Sequence, residues 1–104
     1  MRIAIDLDGT AWSHKPLFIS ICKGLVSNGH EIGILTAHNK NLTEADLHLW
    51  KARGFPPAHF YLCKDDHESS IPTREWKMSM MKKHKIDYLF DDFDSYNNME
   101  IIKL

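Results

Sequence analysis

Two aspartates separated by a single residue follow a short apolar run near the beginning of the chain. In the segment IAIDLDGTA, Asp6 and Asp8 come directly after the apolar residues 3–5. Side chains alternate along an extended chain, so both carboxylates would point to the same side. Two anions at the end of a buried run repel each other, which predicts a nearby cation or a proton held by one of them. One carboxylate of such a pair can act as a nucleophile while the other acts as a general acid.

Further candidate site residues come at the ends of two later apolar runs. Thr36 ends the segment EIGILT, Asp91 and Asp92 end the segment IDYLFDD, and Asp94 adds another carboxylate two residues later. Taken alone, each has an ordinary structural interpretation, such as a β-branched strand residue or a helix N-cap. Taken together they favour a site, because an all-oxygen set of ligands suits Mg²⁺ better than a softer metal.

The hydrophobic pattern predicts the elements that must position these residues. Continuous apolar runs predict four strands buried on both faces, at residues 2–7, 31–36, 59–63 and 86–91. Apolar residues at helical spacing predict three helices between the strands. The first helix ends at Asn28-Gly29, the second covers 43–54 with a capping box at Thr43 and Asp46, and the third covers about 73–84.

This alternation of strands and helices predicts a Rossmann-like three-layer α/β/α fold. Its mostly parallel sheet has about four strands in the order 3-2-1-4, joined by right-handed crossovers. The residues after Asp94 leave little room for a fifth strand and are expected to form a final helix. In such sheets ligands bind at the carboxyl ends of the strands, where Asp6, Asp8, Thr36 and Asp91 fall.

Three of these segments resemble the motifs of the haloacid dehalogenase-like hydrolases. DLDGT at residues 6–10 matches the DxDGT signature, GILTAH at 33–38 is similar to the second motif, and DYLFDD at 87–92 is similar to the fourth. The resemblance covers almost the whole chain and implies a single catalytic domain over residues 1–104. Many members carry an inserted cap domain, but the loops after the first motif and before the third helix are too short for one. The chain therefore resembles a minimal capless member.

The resemblance implies a Mg²⁺-dependent phosphatase that works through an aspartyl-phosphate intermediate on Asp6. Asp8 would protonate the leaving oxygen and then activate water, and Thr36 would hold phosphoryl oxygens. Asp6, the backbone carbonyl of Asp8, and Asp91 would bind Mg²⁺. Asp92 would belong to the same metal site, either as a ligand or by orienting a lysine or a metal-bound water. The residues implied to contact the substrate are Gly9, Thr10, Ala37, His38 and Lys64.

The family's third motif is a lysine, for which the chain offers two main candidates. A helix that begins near Thr73 carries Lys77 in or just after its first turn, close to the carboxyl edge of the sheet. Lys64 ends the third strand at the same edge, but in the order 3-2-1-4 that strand lies two places, or roughly 10 Å, from the first. The geometry favours Lys77 as the catalytic lysine and leaves Lys64 as the alternative.

The composition is typical of a small globular protein. The 104 residues include 43% hydrophobic residues and carry a formal net charge of −1, so no overall charge attracts nucleic acid or an anionic membrane. No apolar run approaches the ~20 residues of a membrane span, and the beginning of the chain does not have the pattern of a secretory signal. Cys22 and Cys63 lack zinc-site spacing, which predicts reduced thiols in a cytoplasmic protein.

We therefore expect a phosphorylated substrate, either a small molecule or an exposed phosphate on a macromolecule, and no membrane partner. Two alternatives stay open at this point. One is a phosphotransferase that uses the same intermediate, and the other is a non-catalytic phosphate-binding or regulatory module with the same fold. The retention of several mutually repelling acids favours an enzyme. The small core of so short a chain favours self-association into a homo-oligomer.

Overall fold

In the described part of the chain, five strands form one sheet in which every pair of neighbours is parallel. The structure is a computed structural model that describes residues 1–92 and 100–103. The strands are β1 (Arg2–Ile5), β2 (Glu31–Asn39), β3 (Phe60–Lys64), β4 (Tyr88–Asp91) and β5 (Ile101–Lys103), in the spatial order β3-β2-β1-β4-β5. The helices α1 (Lys15–Ser27), α2 (Thr43–Ala52) and α3 (Thr73–Lys83) connect the first four strands in turn.

The predicted order 3-2-1-4 is confirmed, but the expectation of little room for a fifth strand is wrong. β5 extends the sheet beyond β4, with Ile101 opposite Leu89. Three residues suffice for an edge strand because only one of its sides has to pair, and Ile101 adds a buried side chain to the core. Asp94 and the beginning of the final helix expected after it lie outside the described residues.

The strands contribute side chains to two separate cores, one on each face of the sheet. On β2, Ile34 belongs to the core that contains Phe18 of α1 and Trp50 of α2. The next residue, Leu35, belongs to the opposite core, which contains Trp76 of α3. A strand covered on both faces needs apolar side chains at successive positions, which explains the continuous apolar runs. The predicted three-layer α/β/α architecture is therefore confirmed.

The beginning of α2 differs from the predicted capping box. The N-cap position is Leu42, which makes no side-chain hydrogen bond, and the Thr43 hydroxyl donates to the Lys40 carbonyl oxygen at 2.7 Å. The Asp46 carboxylate is turned toward the sheet, where it accepts a hydrogen bond from Tyr61 of β3. The predicted capping box is wrong because the buried Asp46 carboxylate accepts hydrogen bonds from side chains of neighbouring strands.

Only turns connect β1 to α1 and β3 to α3, the two places where a cap domain could be inserted. A five-residue turn, Leu7–Ala11, with non-helical backbone angles at Asp8 and Gly9, follows β1, and a short 3-10 turn, Asp66–Glu68, precedes α3. The described part of the chain therefore has no cap domain, as predicted.

Two further sequence features can be compared with the structure. Among the described residues, no helix combines the length and apolar character that crossing a bilayer requires. Cys22 and Cys63 are both free. Burial raises the pKa of the Cys22 thiol to about 12, which is the behaviour of a packing residue rather than a reactive one.

Candidate active site

The carboxyl ends of the three central strands bring Asp6, Thr36 and Asp91 together. Asp6 follows β1, and its backbone N–H donates to the Phe90 carbonyl oxygen of β4 at 3.0 Å. Thr36 lies on β2, whose parallel register with β1 places it at the same edge. These side chains line a cavity of about 400 Å³. The lining consists of Asp6, Asp8, Thr36, Ala37, His38, Thr73, Lys77, Asp91 and Asp92.

Lys77 connects two of the carboxylates in this cavity. Its Nζ lies 2.8 Å from Asp6 Oδ1 and 2.7 Å from Asp91 Oδ2. All three side chains are almost completely withdrawn from solvent. Lys77 reaches the site because it lies early in α3, which begins at the carboxyl edge of the sheet and leads away from it. The structure thus brings together the lysine that the sequence favours and two of the predicted acids.

Burial dominates the electrostatics of Asp6. It raises the pKa of this carboxyl from its ordinary value of 3.8 to about 6, because the Lys77 ammonium offsets only part of the cost of burying the charge. The neighbouring Asp91 and Asp92 carboxylates raise the pKa further by repulsion. One ammonium among three carboxylates leaves an excess of negative charge, so this group of side chains is suited to binding an additional cation.

The turn after β1 brings the Asp92 carboxylate close to the backbone of Gly9. Gly9 has a φ of +75°, and a Cβ added at this position would overlap the Asp92 carboxylate. The Thr10 hydroxyl lies 3.5 Å from Asp6 Oδ2 and 3.4 Å from Asp92 Oδ1, so it can donate its single proton to either oxygen. Gly9 and Thr10, which were predicted to contact the substrate, therefore lie against the Asp6 and Asp92 carboxylates.

Thr36 presents a hydroxyl group from β2. Its side chain is buried, with 2% of the residue exposed, and its Oγ1 accepts a hydrogen bond from the His38 backbone N–H at 3.3 Å. Because the oxygen already accepts this bond, the hydroxyl proton stays available for an oxygen atom in the cavity.

A chain of hydrogen bonds runs from the cavity into the protein through His38. Nε2 of His38 lies 2.6 Å from Asp8 Oδ2, and Nδ1 lies 2.8 Å from Asp46 Oδ2. The same Asp46 oxygen accepts a hydrogen bond from the Tyr61 hydroxyl at 2.6 Å. The chain therefore links the exposed carboxylate of Asp8 to the buried carboxylate of Asp46.

The surroundings of this chain change the proton affinities of its members. Burial disfavours the charged form of His38, but the hydrogen bonds to Asp46 and Asp8 outweigh it, and the pKa of His38 is raised. Burial and the hydrogen bond to Asp46 raise the pKa of Tyr61, which keeps its hydroxyl protonated as a donor. His38 was predicted to contact the substrate, and it lines the cavity with both ring nitrogens already hydrogen-bonded to carboxylates.

Three carboxylates could hold a metal ion. Asp6, Asp91 and Asp92 each place one oxygen so that all three lie within 4.8 Å of one another. This set contains only hard oxygen ligands and carries excess negative charge, so it fits Mg²⁺. Asp8 was implied to contribute its backbone carbonyl, and its side chain points to His38 instead of joining the three.

A second group of possible ligand atoms lies in the loop before α3 and is explained by local structure. It consists of Asp65, His67 and Glu68. One carboxylate oxygen of Glu68 accepts a bond from the Asp65 backbone N–H at 2.9 Å, and the other accepts from Trp76 Nε1 at 3.0 Å. The first of these bonds belongs to the capping box of the turn, and the second connects the turn to α3.

Lys64 does not join the site. Its Nζ donates to the Ile71 carbonyl oxygen at 2.7 Å and lies over the Trp76 ring, 5.8 Å from the ring centroid. The ammonium is therefore used to tie β3 to the loop that precedes α3. This position leaves Lys77 as the lysine of the cavity.

Three residues near the site were not singled out from the sequence as functional. Thr73 lines the cavity from the first position of α3. Asp46 contacts the His38 ring nitrogen that faces away from Asp8, and Tyr61 donates a hydrogen bond to Asp46. The only local signal at Asp46 was its spacing from Thr43, which indicated a helix cap, and a tyrosine in a strand carries no signal of a functional role.

Comparisons with known proteins give no relatives. No protein-family model matches the chain, and no curated protein and no solved structure matches it. The likeness to haloacid dehalogenase-like hydrolases is therefore a resemblance of three sequence motifs.

Proposed function

We propose that this protein is a Mg²⁺-dependent phosphomonoester hydrolase, similar to the capless haloacid dehalogenase-like phosphatases, with Asp6 as its nucleophile. The observation that carries the proposal is the contact of the buried Asp6 carboxylate with Lys77 and, through it, with Asp91. This group lines one cavity with Thr36 and Asp8. A phosphate group bound in this cavity would therefore meet Asp6 as nucleophile and Asp8 as acid. Lys77 and Thr36 would donate hydrogen bonds to its oxygens.

The cost of burying these charges supports a catalytic role. Each charged group withdrawn from water loses on the order of several kcal/mol of solvation free energy. Apolar side chains of similar size would often stabilise the fold equally well or better. Asp6 and Asp91 repel each other, and a single lysine compensates them only in part. Such an arrangement is understandable if the charges serve an anionic substrate together with a metal ion.

Mg²⁺ would be held by Asp6, Asp91 and Asp92, with the Asp8 backbone carbonyl as a further ligand by resemblance. It would supply positive charge that neutralises the carboxylates and the phosphoryl oxygens. The fit rests on the three carboxylate oxygens that lie within 4.8 Å of one another.

In the first step, a carboxylate oxygen of Asp6 attacks the phosphorus atom of the substrate. A bond forms between this oxygen and phosphorus, and the bond between phosphorus and the ester oxygen breaks. Asp8 gives its proton to the departing oxygen, so that an alcohol leaves. The Lys77 ammonium and the Thr36 hydroxyl stabilise the negative charge of the phosphoryl oxygens. The products of this step are the free alcohol and an aspartyl-phosphate on Asp6.

In the second step, a water molecule attacks the phosphorus atom of the aspartyl-phosphate. Asp8, now ionised, takes a proton from this water and returns to its protonated form. The bond between the Asp6 oxygen and phosphorus breaks, and inorganic phosphate is released. Asp8 lies next to the cavity with an exposed side chain, which suits a group that must meet both the leaving alcohol and water.

The experiment is a phosphate-release assay on the purified protein with and without Mg²⁺, using p-nitrophenyl phosphate and a panel of phosphorylated metabolites and oligonucleotides. We expect Mg²⁺-dependent turnover by the wild type and none by Asp6→Asn. Glu44→Gln changes an exposed carboxylate of α2 and is the matched control, expected to resemble the wild type. Full activity in Asp6→Asn, or no turnover of any ester by the wild type, contradicts the proposal.

A further inference from the structure

The Asp8 side chain is exposed to solvent, and this raises the question of what orients it. Solvent can reach 73% of the Asp8 side chain. Among the described residues its hydrogen-bonding partner is His38, whose Nε2 lies 2.6 Å from Asp8 Oδ2. An exposed carboxylate without such a partner would exchange between rotamers. A general acid must lie within hydrogen-bonding distance of the atom it protonates, so its orientation affects the rate directly.

The His38 ring is itself fixed by a buried carboxylate. Asp46 Oδ2 accepts hydrogen bonds from His38 Nδ1 at 2.8 Å and from the Tyr61 hydroxyl at 2.6 Å. Only 6% of the Asp46 side chain is exposed. A carboxylate has no proton to give, so Nδ1 must donate to it, and this bond fixes the plane of the ring. Nε2 then faces Asp8.

Separate elements of the fold build this arrangement. His38 lies on β2, two residues beyond Thr36, while Asp46 lies in the first turn of α2 and Tyr61 on β3. The end of a helix where Asp46 lies favours a negative charge. The His38 ring of β2 is therefore held by groups from α2 and β3.

We propose that His38, supported by Asp46 and Tyr61, is a positioning residue that orients the Asp8 carboxyl group for proton transfer to the leaving oxygen. The proposal rests on the proposed function. An oriented general acid matters most when the leaving group is a poor one, so the contribution of His38 should be largest for phosphate esters of aliphatic alcohols.

A purely structural role for His38 predicts different behaviour. If the ring served only to satisfy Asp46, its removal would lower stability and slow all substrates equally. If the ring contacted the phosphate, its removal would raise KM for all esters. Orientation of Asp8 instead affects kcat/KM according to the leaving group, since p-nitrophenolate departs readily without a proton whereas an alkoxide does not.

The test compares p-nitrophenyl phosphate with glycerol 2-phosphate in the wild type, Asp8→Asn, His38→Ala, Asp46→Asn and Tyr61→Phe. We expect His38→Ala to lose about tenfold or more kcat/KM on the alkyl ester beyond its loss on the aryl ester, as Asp8→Asn does. Asp46→Asn should show the same selectivity, and Tyr61→Phe a weaker form of it. His48→Ala, an exposed histidine on α2, is the control and should match the wild type.

A second measurement does not depend on turnover. The ¹⁵N chemical shifts of the His38 ring should change in Asp8→Asn and in Asp46→Asn, because each replaces one partner of the ring. Equal losses on the two esters, or ring shifts that do not respond to Asp8→Asn, overturn the positioning role while Asp6-dependent hydrolysis stands. A wild type that hydrolyses neither ester, nor any other in the panel, overturns the proposed function and this inference with it.

Discussion

The Lys77 ammonium lies 2.8 Å from the Asp6 carboxylate, although the two residues are 71 positions apart in the chain. A strand end and the early part of a crossover helix meet at this point, at the carboxyl edge of the sheet. The contact keeps a positive charge beside a carboxylate whose pKa burial raises to about 6. It therefore favours the ionised form that a nucleophile requires.

Replacing Lys77 by methionine should reduce both catalysis and stability. The substitution leaves Asp6 and Asp91 buried without their cation, and the loss of one partner of a buried ion pair costs about 3 kcal/mol or more. Loss of a donor to the phosphoryl group should lower kcat by on the order of 10²–10³. Urea denaturation and the phosphate-release assay measure the two effects.

Two lysine variants serve as controls for this prediction. Lys82→Met changes an exposed residue of the same helix and should leave activity and stability close to those of the wild type. Lys64→Met should lower stability, because Lys64 ties β3 to Ile71, but should keep kcat. A loss of kcat in Lys64→Met with normal turnover in Lys77→Met would show that the choice of catalytic lysine is wrong.

The raised pKa of Asp6 predicts a specific dependence of stability on pH in the metal-free protein. Asp6 titrates near 6 when folded and near 3.8 when unfolded, so the folded state binds more protons between these values. Its contribution to the free energy of unfolding therefore falls as pH rises from about 4 to about 6, by on the order of 2 kcal/mol. Asp6→Asn should lack this pH-dependent contribution. Subtracting the pH–stability curve of Asp6→Asn from that of the wild type therefore isolates it.

Mg²⁺ should oppose this trend because it binds the deprotonated carboxylates. Its stabilising effect, measured as a shift in Tm, should be larger at about pH 7.5 than at about pH 5, where protons compete for the same oxygens. Asp91→Asn should reduce the shift at both values. A shift in Tm that is the same at both pH values would contradict a metal site that includes Asp6.

Much of the site was predictable because its residues follow strong hydrophobic patterns. Asp6, Thr36 and Asp91 come at the ends of buried strands, and parallel topology alone brings those ends together. For Lys77 the resemblance implied that a lysine belongs to the site, and the rise of a helix that starts at the same edge selected it over Lys64. A local pattern and one rule of topology were sufficient for the acids and the threonine, but not for the lysine.

The remaining features depend on tertiary packing that leaves no local pattern. Asp46 fits a capping box by spacing, and only the packing of α2 on the sheet turns its carboxylate toward His38 and Tyr61. β5 is three residues long, which is too short for a periodic signal. Lys64 lies at the carboxyl edge of the sheet, but its ammonium donates a hydrogen bond to the Ile71 carbonyl oxygen in the loop before α3.

Replacing Gly9 by alanine should disturb the site through Asp92. The positive φ of Gly9 disfavours any Cβ by about 1–2 kcal/mol, and the added atom would overlap the Asp92 carboxylate. We expect lower stability together with weaker Mg²⁺ dependence of hydrolysis, measured as a higher Mg²⁺ concentration for half-maximal rate. Gly24→Ala is the control, since its Cβ would meet no atom within 4 Å in the middle of α1, and it should stabilise the protein by up to about 1 kcal/mol.

Replacing Thr36 by valine removes a hydroxyl group while nearly keeping the shape of a buried side chain. The backbone N–H of His38 loses its acceptor, which should cost about 1 kcal/mol of stability. The larger effect should be on turnover, with kcat/KM falling by on the order of 10²-fold, because one donor to the phosphoryl oxygens is lost. Thr36→Ser retains the hydroxyl and should recover most of the activity. If the valine and serine variants are equally active, Thr36 is a packing residue and does not contact the phosphoryl group.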